Sequence, residues 1–309
     1  MKLKIVENFR AVFYTPFYLL RVLRFAEEEG IEIEWIDANV PGGAIELLKR
    51  GEADLSWGGP MRIMKDHDSE PGSERSLIGF CQVVSKDPFS LVSRRECASM
   101  SLAELPALRL AVTKEVPTPW LCLQADLEEA GVDVKSLASV TQDKTQEAQL
   151  QALRSGAVDV VQVFEPFVSQ ALEDDAYGVL YDAAGRGPTL YTTFIATRAA
   201  VQRHAEAFSA VSRAMARTQA WMQCNTEAIS ETCEPYFPGL APALLRAATA
   251  RYLRAGIWST GPAVDEAGFN RLSHSLHKGG FIAQPGNFAR CIWTPGHSSR
   301  HRITARFGR

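Results

Sequence analysis

A chain of 309 residues with 46% hydrophobic and 22% charged side chains and a net charge of −3 has the balance of a globular protein large enough for two lobes. That charge gives no electrostatic footprint for nucleic acid, and no apolar run approaches the roughly 20 residues that cross a bilayer. Neither a nucleic-acid partner nor membrane insertion is expected.

The segment KLKIV (2–6) reads as a strand. The apolar stretch that follows at 11–20 contains Tyr14, Thr15 and Pro16 and has no small-residue cleavage site behind it, so it is not a secretory signal. The expectation is a cytoplasmic protein, or a periplasmic one if translation starts further upstream. PFYLLRVLRFAEEEG is an amphipathic helix closed by Gly30, a residue suited to a helix C-cap. IEIEWID alternates with period two and reads as a strand. GGAIELLKRG is a helix, ADLSW a strand, and PMRIMKDH opens another helix. Strands alternating with helices imply βαβ units and a largely parallel sheet.

SLIGFCQVV and PFSLVSRR give two more strands, and SLAELPALRLAV carries a helical turn into a third. TPWLCLQADLEEAGV is a helix, with Thr118 as N-cap and Pro119 at the first helical position. Residues 145–154 form a helix, and the Val-rich run 158–163 is the strand after it. From Ala199 to His277 the pattern is almost entirely helical. The six cysteines and six histidines show no metal-ligand spacing, so neither a metal nor a cofactor is expected.

Two stretches echo each other. Leu48-Lys49-Arg50-Gly51-x-x-Asp54 matches Leu153-Arg154-Ser155-Gly156-x-x-Asp159 at an offset of 105 residues, and Thr15-Pro16 matches Thr118-Pro119 at 103. The repeat implies two similar α/β lobes. They are expected at residues 1–86 with 195–285 and at 87–194, followed by a poorly ordered basic tail at 286–309. Ligands of open α/β sheets bind beyond the carboxyl ends of the strands. Four loops therefore face one cleft: Phe9–Pro16, Trp57–Pro60, Thr113–Trp120 and Phe164–Phe167.

Just after the first strand, Asn8 offers an amide to a ligand or caps a turn. Phe13, Tyr14, Trp57, Trp120 and Phe164 are candidate stacking rings, although one of Phe13 and Tyr14 could pack beneath its loop and Trp120 could belong to the core. Thr15 lies in the same first loop. Gly58 and Gly59 permit close backbone approach, ahead of a helix whose free N–H groups could hold an anion or a carbonyl. Arg62 could pair a carboxylate or be solvated. Glu115 is a further candidate contact or an exposed acid, and Thr118 binds a ligand or caps its helix. Tyr191 and Thr192 supply hydroxyls near the return crossover. Glu165 ends an apolar strand, where an unpaired buried carboxylate is costly. It either caps the next helix or accepts from a ligand amine in the cleft.

The pieces ENFRAVFYTPFYLLRVLRFAEEEGIEIEW, GGAIELLKRGEADLSWGGP, SLAELPALRLAV and LRSGAVDVVQVFEPF resemble the ABC-transporter solute-binding proteins of the nitrate/sulfonate/taurine and thiamine-pyrimidine-precursor group. That resemblance implies the two-lobed type 2 periplasmic-binding-protein fold closing on a small molecule, with an ABC permease as partner. It also favours Glu165 as the acid that reads an aminopyrimidine edge. The reading is a non-catalytic solute-binding protein for a planar nitrogen-bearing ligand such as a thiamine-type aminopyrimidine. The alternative is an enzyme or cytosolic sensor on the same fold. The related pyrimidine synthase carries its cofactor lysine where this chain has Gly58 and its donor histidine where it has Arg62, so that chemistry lacks its residues here.

Overall fold

The computed structural model describes residues 1–37, 43–69, 72–114 and 116–295. Among the described residues, ten strands form two five-stranded sheets. They are β1 (Lys2–Val6), β2 (Glu32–Ile36), β3 (Leu55–Gly58), β4 (Leu77–Val84), β5 (Phe89–Arg94), β6 (Arg109–Ala111), β7 (Ser139–Thr141), β8 (Val160–Phe164), β9 (Tyr177–Asp182) and β10 (Thr192–Thr197). The sheet orders are β2-β1-β3-β10-β4 and β7-β6-β8-β5-β9. In each, one strand runs antiparallel to both neighbours, β10 in the first and β5 in the second. Each of these two strands has just arrived from the other lobe. The crossovers that bring them pair with each other, Thr189 N donating to Ser85 O (2.8 Å) and Tyr191 N to Val84 O (3.0 Å).

The sequence repeat is a repeat of hydrogen bonds. Asp54 Oδ2 accepts from Lys4 N at 2.8 Å, and Asp159 Oδ2 accepts from Arg109 N at 2.8 Å. Gly51 and Gly156 precede them with φ of +74° and +73°, a conformation that costs glycine little. In each lobe the motif ends a helix, turns, and ties the incoming strand to its parallel neighbour. Thr145 caps the helix Gln146–Arg154, its hydroxyl accepting from Ala148 N.

Two expectations are corrected. The first helix is not continuous to Gly30. It runs Thr15–Leu23, breaks at Arg24 (φ +57°), and resumes at Phe25–Glu28. The break brings Phe25 beneath the Arg217 guanidinium at 4.4 Å and Ala26 into the core. Nor does an unpacked tail begin at 286. Gly286 N donates to Ser273 Oγ, Phe288–Cys291 is helical, Cys291 is buried, and Trp293 N donates to Gly79 O. Residues 296–309 lie outside the described ones.

The C-terminal helices join the lobes. Tyr252, on the helix Pro242–Ala255, donates through its hydroxyl to Pro88 O (3.2 Å) and accepts from Glu165 N (2.9 Å). Lys278, on the helix Glu266–Lys278, pairs with Glu128 on the helix Thr118–Glu129 of the second lobe. At the base of the crossovers a buried ionic group holds Arg186 between Asp87 (2.9 Å) and Asp126, with the Tyr181 hydroxyl donating to Asp126 (2.9 Å).

Candidate ligand-binding cleft

The first loop is held at both ends. Glu7, buried just past β1, accepts from Arg10 Nη2 (3.1 Å) and from the Tyr18 hydroxyl (2.9 Å). Thr15 Oγ1 donates to Val12 O (2.7 Å), and Trp258 Nε1 donates to Phe13 O (2.9 Å). This loop presents Asn8, Phe9, Phe13 and Tyr14 to a cavity between the lobes. Gly59, Met61 and Arg62 enter from the start of the helix Met61–Ser69, Val116 and Thr118 from the second lobe, and Tyr191 from the crossover. The cavity measures about 30 Å³, room for water molecules but not for an organic solute. The lobes touch around it, with the Phe13 and Phe164 rings edge to face at 5.5 Å. A ligand enters only when the lobes part.

The polar groups here are strongly desolvated. The Tyr14 hydroxyl faces the side chains of Asn8 and Thr192. Burial pushes its pKa up to about 12, opposed by Asn8, Arg62 and Thr192, so it is a neutral hydroxyl at physiological pH. Burial also lowers the Arg62 pKa, opposed only by Tyr14. Among the described residues no carboxylate pairs with Arg62. The Tyr191 hydroxyl is buried without a hydrogen-bond partner.

Tyr14 also sets a pH dependence. Its folded-state pKa lies above the ordinary value near 10, so the folded chain holds this proton more tightly than the unfolded one. The associated stability is intact below about pH 10 and is lost as pH rises toward about 12, roughly 3 kcal/mol in all. Burial raises Tyr18, Tyr191 and Tyr252 in the same direction. Calorimetric Tm values falling steeply above about pH 10, and less steeply in Tyr14→Phe, are the expected result. Equal slopes in the two proteins would remove Tyr14 from this account.

Several candidates lie elsewhere. Trp57 is 2% exposed and stacks on Phe17 (4.5 Å, 9° between planes), so it belongs to the core of the first lobe rather than the cleft. Trp120 packs partly buried on the second lobe's core. The Thr15 hydroxyl is committed to Val12 O, and Gly58 lies behind Asn8, a Cβ there falling 3.4 Å from its Nδ2. Thr118 is not a cap: the N-cap position is Pro117, and the buried threonine lines the cavity. Glu115 lies outside the described residues. Phe9, Met61 and Val116 were not anticipated, although each neighbours a residue that was.

Glu165 does not face the cavity. Its Oε2 accepts from Ser169 N (3.0 Å) at the start of the helix Phe167–Ala171, and its Oε1 lies 3.4 Å from Arg251 Nε. That separation forms an ion pair without hydrogen-bond geometry, and Oε1 has no hydrogen-bond partner. Burial raises this carboxyl's pKa, opposed by Ser169 and Arg251. The helix-capping alternative is therefore the one realised. Glu165→Gln keeps the Ser169 bond and is expected to change cleft-ligand affinity by no more than about fivefold, the scale of one weak ion pair. A loss of about a hundredfold in a calorimetric titration would return Glu165 to the binding machinery.

A family model described as NMT1-like matches residues 23–235. Among curated proteins the chain is 22% identical over 286 residues to the putative binding protein YtlA of Bacillus subtilis, covering 90% of this chain and 84% of that one. Its structure aligns with the periplasmic aliphatic sulphonate binding protein SsuA of Escherichia coli at a TM-score of 0.76 and 16% identity, covering 94% and 97% of the two chains. It also aligns with the alkanesulfonate-binding protein SsuA of Xanthomonas axonopodis pv. citri, bound to MOPS, at 0.70 and 16% over 94% and 98%. These likenesses give the architecture, the periplasmic-binding-protein fold. With more than half of its length matched by the family model, the chain belongs to the NMT1-like family.

Proposed function

We propose that the protein is the solute-binding component of an ABC import system and that its cleft takes an organic anion, a sulfonate or carboxylate head on a small apolar body. The observation that carries the ligand class is Arg62, a desolvated cation without a carboxylate partner among the described residues, in a cavity whose described lining contains no acid. A half-buried guanidinium at the mouth of a closing cleft favours an anionic partner that accepts charge-assisted hydrogen bonds. Tyr14, Asn8 and Thr118 add neutral donors, and Phe9, Phe13, Met61 and Val116 add apolar surface. The sulfonate ligands named for two of the aligned structures support the same class.

The aminopyrimidine reading depended on Glu165 as the acid in the cleft, and that carboxylate is engaged by Ser169 and Arg251. Closure follows as a hinge motion about the paired crossovers, driven by contacts available only when both lobes reach the ligand. Calorimetric titration with butanesulfonate, butyrate and a hydroxymethyl aminopyrimidine tests the ligand class. Binding of either anion with no binding of the pyrimidine is expected, and the reverse order would overturn it. The importer role places the working protein outside the cytoplasmic membrane. Fractionation of cells expressing the native gene tests that, and a wholly cytosolic protein would favour a sensor instead.

A further inference from the structure

Trp258 lies 245 residues from Phe13 in sequence, yet its indole N–H donates to the Phe13 carbonyl at 2.9 Å, and both residues are buried. The donor is anchored away from the cleft. Trp258 follows the helix Pro242–Ala255 on a segment laid along the edge of β4, where Ser85 N donates to Ile257 O (2.7 Å) and Ser259 N to Val83 O (2.9 Å). Its ring packs edge to face on Tyr252 (5.8 Å), whose hydroxyl holds Pro88 O and Glu165 N. Trp258 is thus fixed to the strand that leads into the first crossover and to a residue that reaches the second lobe.

The acceptor belongs to a residue that lines the cleft. The Phe13 ring meets Tyr14 of its own loop (4.4 Å), Phe164 of the second lobe (5.5 Å) and Tyr191 of the crossover (6.2 Å), all edge to face. Such ring contacts tolerate a range of centroid distances, whereas a hydrogen bond weakens steeply off its line. The bond to Trp258 is therefore the contact that sets where the Phe13 ring stands. Tyr14 has other supports: its hydroxyl faces Asn8 and Thr192, and its ring packs on Phe17 (5.9 Å) and Trp57 (6.1 Å).

We propose, resting on the cleft as the ligand site, that Trp258 is a positioning residue for binding: it holds the Phe13 wall against which the apolar body of the ligand packs. Without the bond the first loop samples other arrangements, and a ligand that needs the wall binds only the fraction of molecules in which it stands in place. Arg62 and Tyr14, which meet the ligand head, keep their own anchorage on the helix Met61–Ser69 and on the core of the first lobe. The loss should therefore grow with the ligand body and spare the head.

Titration of the intact protein with methanesulfonate and butanesulfonate tests this. Trp258→Phe keeps an aromatic ring beside Tyr252 and removes the donor. It should weaken butanesulfonate at least about fivefold, the scale of one hydrogen bond, and leave methanesulfonate within about twofold. Arg62→Gln should weaken both. Phe13→Leu should repeat the Trp258→Phe pattern, and the double variant should bind no worse than Phe13→Leu alone, because Trp258 acts through Phe13. In the parent protein the Trp258 indole N–H resonance should shift with butanesulfonate and stay with methanesulfonate, a readout that decides the matter if Trp258→Phe fails to fold. Equal losses for the two sulfonates in Trp258→Phe, additive losses in the double variant, or an indole signal indifferent to the ligand body would each overturn the proposal. If the parent binds neither sulfonate, the anion reading of the cleft itself falls, and this role with it.

Discussion

Replacing Arg62 by Gln is expected to lower the affinity for butanesulfonate at least about 30-fold, the scale of truncating one member of a desolvated charge pair at a cost of about 2–5 kcal/mol. Arg62 lines the cavity from the first turn of its helix, with burial already lowering its pKa and no carboxylate among the described residues to share its charge. In the proposed complex the ligand head supplies that charge, so the cost should fall on binding and little of it on folding. Arg62→Lys retains the charge but not the planar fork, and recovers only part of the affinity. Titrations should be flat between about pH 6 and about pH 9, because the Tyr14 hydroxyl and the guanidinium keep their protons throughout that range. An affinity within threefold of the parent in Arg62→Gln would refute the anion assignment.

Arg186→Met is expected to destabilise the protein by about 3–5 kcal/mol, the range for removing one partner of a buried ionic group. Among the described residues Arg186 is the single cation between Asp87, which is 0% exposed, and Asp126, 7% exposed. Its loss leaves two carboxylates in a dry setting. Asp126→Asn should cost less, since Asp87 still neutralises the guanidinium. Urea unfolding gives both values, and the double variant measures their coupling. A change below about 1 kcal/mol for Arg186→Met would show that water reaches the group. Because Asp87 and Arg186 flank the two crossovers, the same replacement also loosens the base about which the lobes turn.

Much of the scaffold was legible because its signals are local. The Gly51/Asp54 and Gly156/Asp159 pairs mark the same turn and the same strand clamp, and both sets of bonds are present. The site was less legible because facing is not a local property. Trp57 lies on β3, whose four residues are all buried. Alternation therefore carries no record of which ring points at the cleft. Glu165 looked like an acid awaiting a ligand because its partner, Arg251, is on a helix whose approach no strand-end motif encodes. Thr118 ahead of a proline reads as a cap, yet it is the first helical residue, which frees its hydroxyl for the cavity.

The exchange of one strand between the sheets bears on the order in which the protein is made. The second sheet draws on an unbroken stretch, from Phe89 to Asp182. The first is split between β3 and β4 until β10, ending at Thr197, slides between them. On a chain emerging from the ribosome amino end first, the lobe begun second is therefore the first that can be completed. The earlier one waits with two unsatisfied strand edges, a template that invites mispairing until the later residues arrive.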